Sequence, residues 1–245
     1  MKTNISNTLK KLWDSINPFR QLVIRSINKI NYIEYNKPVF DKFNERPVEY
    51  SFIFEQIKEL YPKTILDVGT GITALPHLMA NCGCKVTAID NIKDYWTNGM
   101  FNRHYHIIND DITNSKLKDT FDMITCVSTL EHIEKCDQAV KSMFSLLKNG
   151  GVLALTFPYN EKIGVPNVYS LPDSTAKNLP KYKTRAYCRE DLNRWQKQNN
   201  AIIVKQEYWK FFTGEYWTIG DMILPPSKSS RDDKHHISCL LFKKR

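Results

Sequence analysis

The sequence predicts an α/β fold: a doubly wound, mostly parallel sheet with helices on both faces. Three observations predict it. Short β-branched runs recur from residue 63: KTILDV (63–68), KVTAID (85–90), HYHIIN (104–109), FDMITCV (121–127) and GVLALTF (151–157). Stretches of helical periodicity separate several of them, such as CDQAVKSMFSLLKN (136–149), closed by Gly150-Gly151. The first run also leads through Gly69-Thr70-Gly71 straight into a helical pattern. Such alternation implies parallel strands buried on both faces, with a ligand beyond their carboxyl ends.

The remaining elements follow in chain order. Leu9, Leu12, Trp13, Ile16, Phe19, Val23, Ile27 and Ile30 recur at spacings of three or four, one apolar helical face interrupted near Pro18. It reads either as helices packed over the main domain or as an interfacial membrane helix or lid. Pro47 fits the first turn of a helix running to about Leu60. We therefore divide the chain into an N-terminal helical extension, 1–46, and a main domain, 47–245. Beyond Phe157, residues 158–186 are loop-like and carry Pro158, Pro166, Pro172 and Pro180. A helix over 187–198, the strand AIIVKQEYWKFF (201–212), an irregular stretch and the final strand HHISCLLFKK complete the chain. Residues 158–186 and 212–233 read as substrate-side insertions.

With 245 residues, 42% hydrophobic and 25% charged, the composition is that of an ordinary globular domain. No run approaches about 18 consecutive apolar residues, and the N-terminus reads as lacking a secretory leader. The six cysteines form no C-x-x-C pair and read as reduced thiols of a cytoplasmic protein, Cys126 and Cys239 as small buried hydrophobes. The net charge of +9 belongs to the ends: residues 1–48 carry nine basic and four acidic residues, residues 225–245 six and two, and the middle is balanced. Basic ends read as solvated, or as handles for an anionic membrane or RNA.

Taken alone, ILDVGTGITALPHL (65–78) leaves its ligand open. Ala74 replaces the third glycine of a dinucleotide fingerprint, a change that fingerprint tolerates. Asp67 helps to separate the options. A carboxylate beside the loop repels a pyrophosphate and suits a ligand bearing an ammonium and a sulfonium. It could also simply bond backbone amides of the turn. Asp90, ending the second run, can accept both hydroxyls of a ribose, or merely start the turn with Asn91. In Asp110-Asp111-Ile112 a carboxylate can accept from an adenine amino group, and Ile112 can touch the ring. Asp111 is preferred, and one of the two aspartates is expected to be only solvated.

In order, LDVGTG, TAID, DDI, FDMITCVSTLEHI and LLKNGGVLALTFP resemble the motifs of class I S-adenosylmethionine-dependent methyltransferases, near the small-molecule, methyltransferase type 11-like group. The resemblance covers about residues 47–245. It implies a Rossmann-like seven-stranded sheet with an antiparallel last strand, and S-adenosyl-L-methionine as cofactor. It implies that Asp67, Gly69 and Gly71, with Thr70 between, line the methionine part. Asp90 and Asn91 then lie at the ribose, Asp111 with Asp110 and Ile112 at the adenine, and Ser128 near the methyl group.

Methyl transfer is an in-line displacement, so the protein aligns the acceptor and, for a hydroxyl, takes its proton. His132, in S-T-L-E-H-I, is the candidate general base; the other reading is a packed or helix-capping histidine. Glu131 reads as structural, bonding nearby amides. Relatives resembling quinone-pathway O-methyltransferases carry E-x-x-E-H here and hold a divalent metal with it. Ser128 replaces the first Glu, so no metal is expected. His104 and His106 read as packing on one strand face, and His235 and His236, on opposite faces of the last strand, make a poor metal pair. Tyr159, Trp96, YWKFF (208–212) and EYW (215–217) read equally as acceptor contacts or as packing. No [DN]-P-P-[YFW] motif, Pro-Cys nucleophile or RNA-binding module is present. The expected acceptor is an oxygen of a small molecule, sugar or glycan, rather than a nucleic acid. Competing readings are an RNA or protein methyltransferase using the basic ends, a nicotinamide-dependent oxidoreductase, and a binding module without chemistry. Peripheral membrane contact through the basic N-terminal helices is a further expectation; the oligomeric state leaves no signal.

Overall fold

The computed structural model describes residues 17–36, 43–96, 98–177 and 183–245. The chain divides into two compact units, Met1–Arg46 and Pro47–Arg245. In the first, helix α1 spans Pro18–Asn36. Pro18 opens this helix, where a proline at the first helical position loses no hydrogen bond. The Asn17 side-chain oxygen caps it, accepting from the amides of Phe19 (3.1 Å) and Arg20 (3.3 Å). The apolar positions Leu9, Leu12, Trp13 and Ile16 lie outside the described residues.

The second unit contains α2 (Arg46–Leu60, entered at the boundary), β1 (Thr64–Val68), α3 (Leu75–Asn81), β2 (Lys85–Asp90), α4 (Ile92–Tyr95) and β3 (Ile108–Asn109). It continues with β4 (Phe121–Val127), α5 (Cys136–Leu146), β5 (Leu147–Pro158), α6 (Arg189–Gln198), β6 (Ala201–Phe212), β7 (Met222–Ser229) and β8 (Ile237–Lys244). The sheet order is β3-β2-β1-β4-β5-β8-β6-β7. The first five strands pair in parallel, and β8 runs antiparallel between β5 and β6. The pleat assigns alternate residues to two cores. Leu66, Ile124, Leu153, Leu155 and Leu240 pack towards Val140, Met143, Leu192 and Trp195 of α5 and α6. Ile65, Met123, Val152, Ala154 and Leu241 pack towards Phe52, Ile53, Leu75 and Met79 of α2 and α3. Burial on both faces is why these strands read as continuous apolar runs.

Four expectations require correction. The sheet has eight strands rather than seven, because β7 lies within the stretch that reads as irregular. Its MILPPSKS sequence contains Pro225 and Pro226, which are tolerated because β7 is an edge strand paired only through β6. The strand expected over 104–109 shrinks to Ile108–Asn109. Asn102 is the cause: its side-chain oxygen accepts from the amides of His104 (2.8 Å) and Tyr105 (3.0 Å), diverting them from the ladder. His104 and His106 therefore do not alternate along a strand. Helix α5 stops at Leu146, since Leu147 already pairs with Phe121; Gly150, at φ 75°, turns the chain inside β5 instead of ending the helix.

His235 and His236 precede β8 instead of alternating along it, and both are buried. The Nδ1 of His236 accepts from the amides of Phe211 (3.0 Å) and Phe212 (3.3 Å), so its Nε2–H donates to the Gly214 carbonyl (3.0 Å). This arrangement needs a neutral ring, and burial pushes the pKa from 6.5 down to about 4. The unfolded chain takes up this proton near its ordinary pKa, whereas the folded chain resists until about 4. Stability should fall by about 3 kcal/mol as pH drops through that window and be level above it. Urea unfolding at about pH 7 and about pH 4.5 checks this: the stability advantage of wild type over His236→Gln should narrow at the acid pH. A constant gap would contradict it.

Candidate active site

The loop after β1 is set by two left-handed glycines, Gly69 at φ 73° and Gly71 at φ 56°. A Cβ on Gly69 would lie 2.0 Å from Thr129 Cγ2, so the turn after β4 leaves no room for a side chain. The amides of Gly69 (2.9 Å) and Thr70 (3.3 Å) donate to the Ile89 carbonyl, and that of Gly71 to Asp90 Oδ2 (2.8 Å). These amides are committed to β2, whereas a phosphate-binding loop turns them towards its ligand. The commitment argues against a nicotinamide dinucleotide.

Asp67 is buried beneath the loop. Its Oδ2 accepts from Thr70 Oγ1 and its Oδ1 from Thr125 Oγ1, both at 2.7 Å. Hydroxyls of the loop and of β4 thus hold both of its oxygens. Asp90, also buried, ends β2; Oδ1 accepts from the indole of Trp96 at 2.9 Å. Burial raises its pKa, and the hydrogen bonds from Trp96 and Gly71 only partly offset that rise. Asn91 stands half-buried at the start of α4 and makes no side-chain cap. Asp110 is not solvated: it is buried, and its carboxylate accepts from Ser115 Oγ (2.5 Å) and the Lys116 amide (3.2 Å). Asp111 is half-buried and caps a 3-10 turn by accepting from the Thr113 amide at 2.8 Å. Ile112 belongs to the core at 4% exposure, so it offers a ring little more than an edge.

Ser128 follows β4 in the left-handed region at φ 43°. Its hydroxyl donates to Glu49 Oε1 at 2.5 Å, and Thr156 Oγ1 donates to the same oxygen at 2.6 Å. The sequence reading missed Glu49, a fully buried carboxylate on α2. Its signal was spacing: it lies three and four residues before Phe52 and Ile53, on the apolar face. Thr125, Thr129, Thr156 and Asn102 were missed as well, being ordinary residue types whose roles arise only from strand pairing.

His132 ends a 3-10 turn after β4. Its Nδ1 lies 2.8 Å from the Lys183 carbonyl, so this nitrogen carries a proton, and in the neutral ring Nε2 carries the lone pair. Nε2 is 4.0 Å from Glu131 Oε1, and the His132 side chain is 26% exposed against 4% for Glu131. Among the described residues no group of three or more His, Cys, Asp or Glu side chains is placed to hold a metal ion. Of the aromatic candidates, Tyr159 stacks on His235 (5.6 Å, 15°), and Phe211 and Phe212 pack edge-on against Trp217, so these are packing residues.

A family model described as a methyltransferase domain matches residues 43–214. The chain is 32% identical over 152 residues to the mitochondrial ubiquinone biosynthesis O-methyltransferase of Schizosaccharomyces pombe, covering 58% of this chain and 56% of that one. It is 30% identical over 121 residues to the ubiquinone biosynthesis O-methyltransferase of Glaesserella parasuis, covering 45% and 51%. The chain thus spans about half the length of the curated relatives it matches. The fold is shared with 1,6-didemethyltoxoflavin-N1-methyltransferase of Burkholderia thailandensis (TM-score 0.54, 15% identity, 91% of this chain and 88% of that one). It is shared too with the N-methyltransferase NodS of Bradyrhizobium japonicum (TM-score 0.52, 16% identity, 85% and 91%). Both were solved with S-adenosylhomocysteine. With the glycine loop, the ordered carboxylates and most of its length matched, the chain belongs to the family of class I methyltransferase domains.

Proposed function

We propose that this protein transfers a methyl group from S-adenosylmethionine to an oxygen of a small molecule, with His132 as general base. One observation carries the choice of base: the Lys183 carbonyl holds the Nδ1 proton, leaving Nε2 as the acceptor. The names of the curated relatives, O-methyltransferases of ubiquinone biosynthesis, support an oxygen acceptor.

The residues at the loop fit the methyl donor. Gly69 and Gly71 keep the loop thin, and Asp90, at the end of β2, holds its carboxylate towards the loop for ribose hydroxyls. Asp67, Thr70 and the adjoining turn serve the methionine end, Asn91 the ribose, and Asp110, Asp111 and Ile112 the adenine end. When bound, S-adenosylmethionine supplies an activated methyl group on a sulfonium. His132 Nε2 takes the proton of the acceptor hydroxyl as its oxygen is methylated. The resulting imidazolium has the Glu131 carboxylate 4.0 Å away to balance its charge.

Two predictions test this. His132→Ala should lower kcat by about 100-fold or more, with the dissociation constant for S-adenosylhomocysteine within about twofold of wild type; a fully active variant would return His132 to a packing role. Asp90→Ala should weaken S-adenosylhomocysteine binding by about tenfold or more. Trp96→Phe removes the indole donor now on Oδ1 and should tighten that binding. Calorimetry on the folded variants reads both, and unchanged affinity in Asp90→Ala would reject the ribose assignment.

A further inference from the structure

Helix α1 lies outside the matched domain of residues 43–214. Its Phe19, Leu22, Val23, Ile27, Ile30 and Ile33 side chains are all exposed, from 40% at Val23 to 72% at Phe19. At 3.6 residues per turn these six share a sector of about 140°. Single exposed apolar residues are normal, but a contiguous helical stripe marks a surface that something covers.

Charge points to the occupant. Arg25 and Lys29 fall along one border of the sector and Arg20 along the other, against one acidic residue in the helix, Glu34. Long basic side chains bordering an apolar stripe rest their stems on hydrocarbon while their heads reach phosphate. Two copies of this helix paired face to face would bring like-charged borders together, which disfavours self-association. No helix among the described residues is long and apolar enough to cross a membrane, so a lipid contact would lie in the surface plane. We propose that α1 docks this protein on a negatively charged lipid surface, its apolar stripe in the acyl boundary and Arg20, Arg25 and Lys29 on the headgroups. The proposal does not depend on the assignment of the methyl-transfer site.

Flotation of the full chain with vesicles tests the proposal. The chain should partition to phosphatidylcholine vesicles containing phosphatidylserine, should ignore pure phosphatidylcholine, and should be released by high salt. Arg20→Gln with Arg25→Gln and Lys29→Gln should weaken partition by roughly 100-fold, and Val23→Asp with Ile27→Asp by about tenfold or more. Thermal unfolding and S-adenosylhomocysteine binding of the same samples report the fold and the cofactor site, so failure of either reading is seen separately. No partition by the wild type, or partition that both variants keep, overturns the proposal. A wild-type dimer lost in the Val23→Asp, Ile27→Asp variant would also overturn it, giving the stripe to a second copy.

Discussion

The carboxyl end of the sheet depends on one buried carboxylate. Asp67, 2% exposed, is the last residue but one of β1 and accepts from Thr70 of the loop with one oxygen and from Thr125 of β4 with the other. A carboxylate so far from water is tolerated only when its oxygens are satisfied, and removing one partner leaves a costly buried group. Asp67 therefore fixes the height of the loop against β4. The Ile89 carbonyl and the Asp90 carboxylate then fix it laterally against β2. Thr129 completes the tie by donating to the Gly69 carbonyl at 3.1 Å. Gly69 has no space for a Cβ because three strand ends converge on it, and such convergence gives a ligand site that is already formed before binding.

The parts legible in the sequence are those decided by local pattern. β2 and β4 coincide with their apolar runs, since a strand buried on both faces needs little but apolar, β-branched residues, and β6 coincides with its own run although most of it is only half-buried. The loop glycines are equally plain, because only glycine suits two nearby positive φ values. What was not legible depends on partners distant in sequence. Asn102 shortens β3 through side-chain bonds that also reach the carbonyls of Gly71 and Thr73, about a turn into the loop. β7 carries two prolines and becomes a strand only because β6 offers it an edge. Asp110 and Asp111 are adjacent acidic residues with opposite environments, and only the fold of residues 113–116 separates them.

Beyond the carboxyl end of β5, a second polar centre braces the segments that read as insertions. Glu161 accepts from both Arg189 Nε (2.8 Å) and Nη2 (3.0 Å), from Arg231 Nε (2.7 Å) and from the Tyr159 hydroxyl (2.8 Å). Burial works to raise the Glu161 pKa, but these donors outweigh it and hold the pKa below its ordinary value. Arg189 continues to Gln206 and Tyr208 on β6. Residues 159–161, the start of α6, β6 and the approach to β8 are thereby joined through one bidentate arginine, a geometry that lysine could not reproduce.

The same logic bears on the residue that stands in for an expected glutamate. Where E-x-x-E-H would begin, Ser128 donates its proton to Glu49, so its oxygen can only accept from anything else that approaches. A carboxylate thus returns to this neighbourhood from α2, but fully buried behind a hydroxyl. His132, by contrast, keeps a quarter of its side chain exposed, with a backbone carbonyl to accept its Nδ1 proton. In the neutral ring His132 thus combines exposure with a lone pair on Nε2, the two features that the proposed general base requires. Glu49 instead holds Ser128 in its left-handed turn and links α2 to the ends of β4 and β5, so the helix preceding the sheet is part of the site's frame rather than a cover over it.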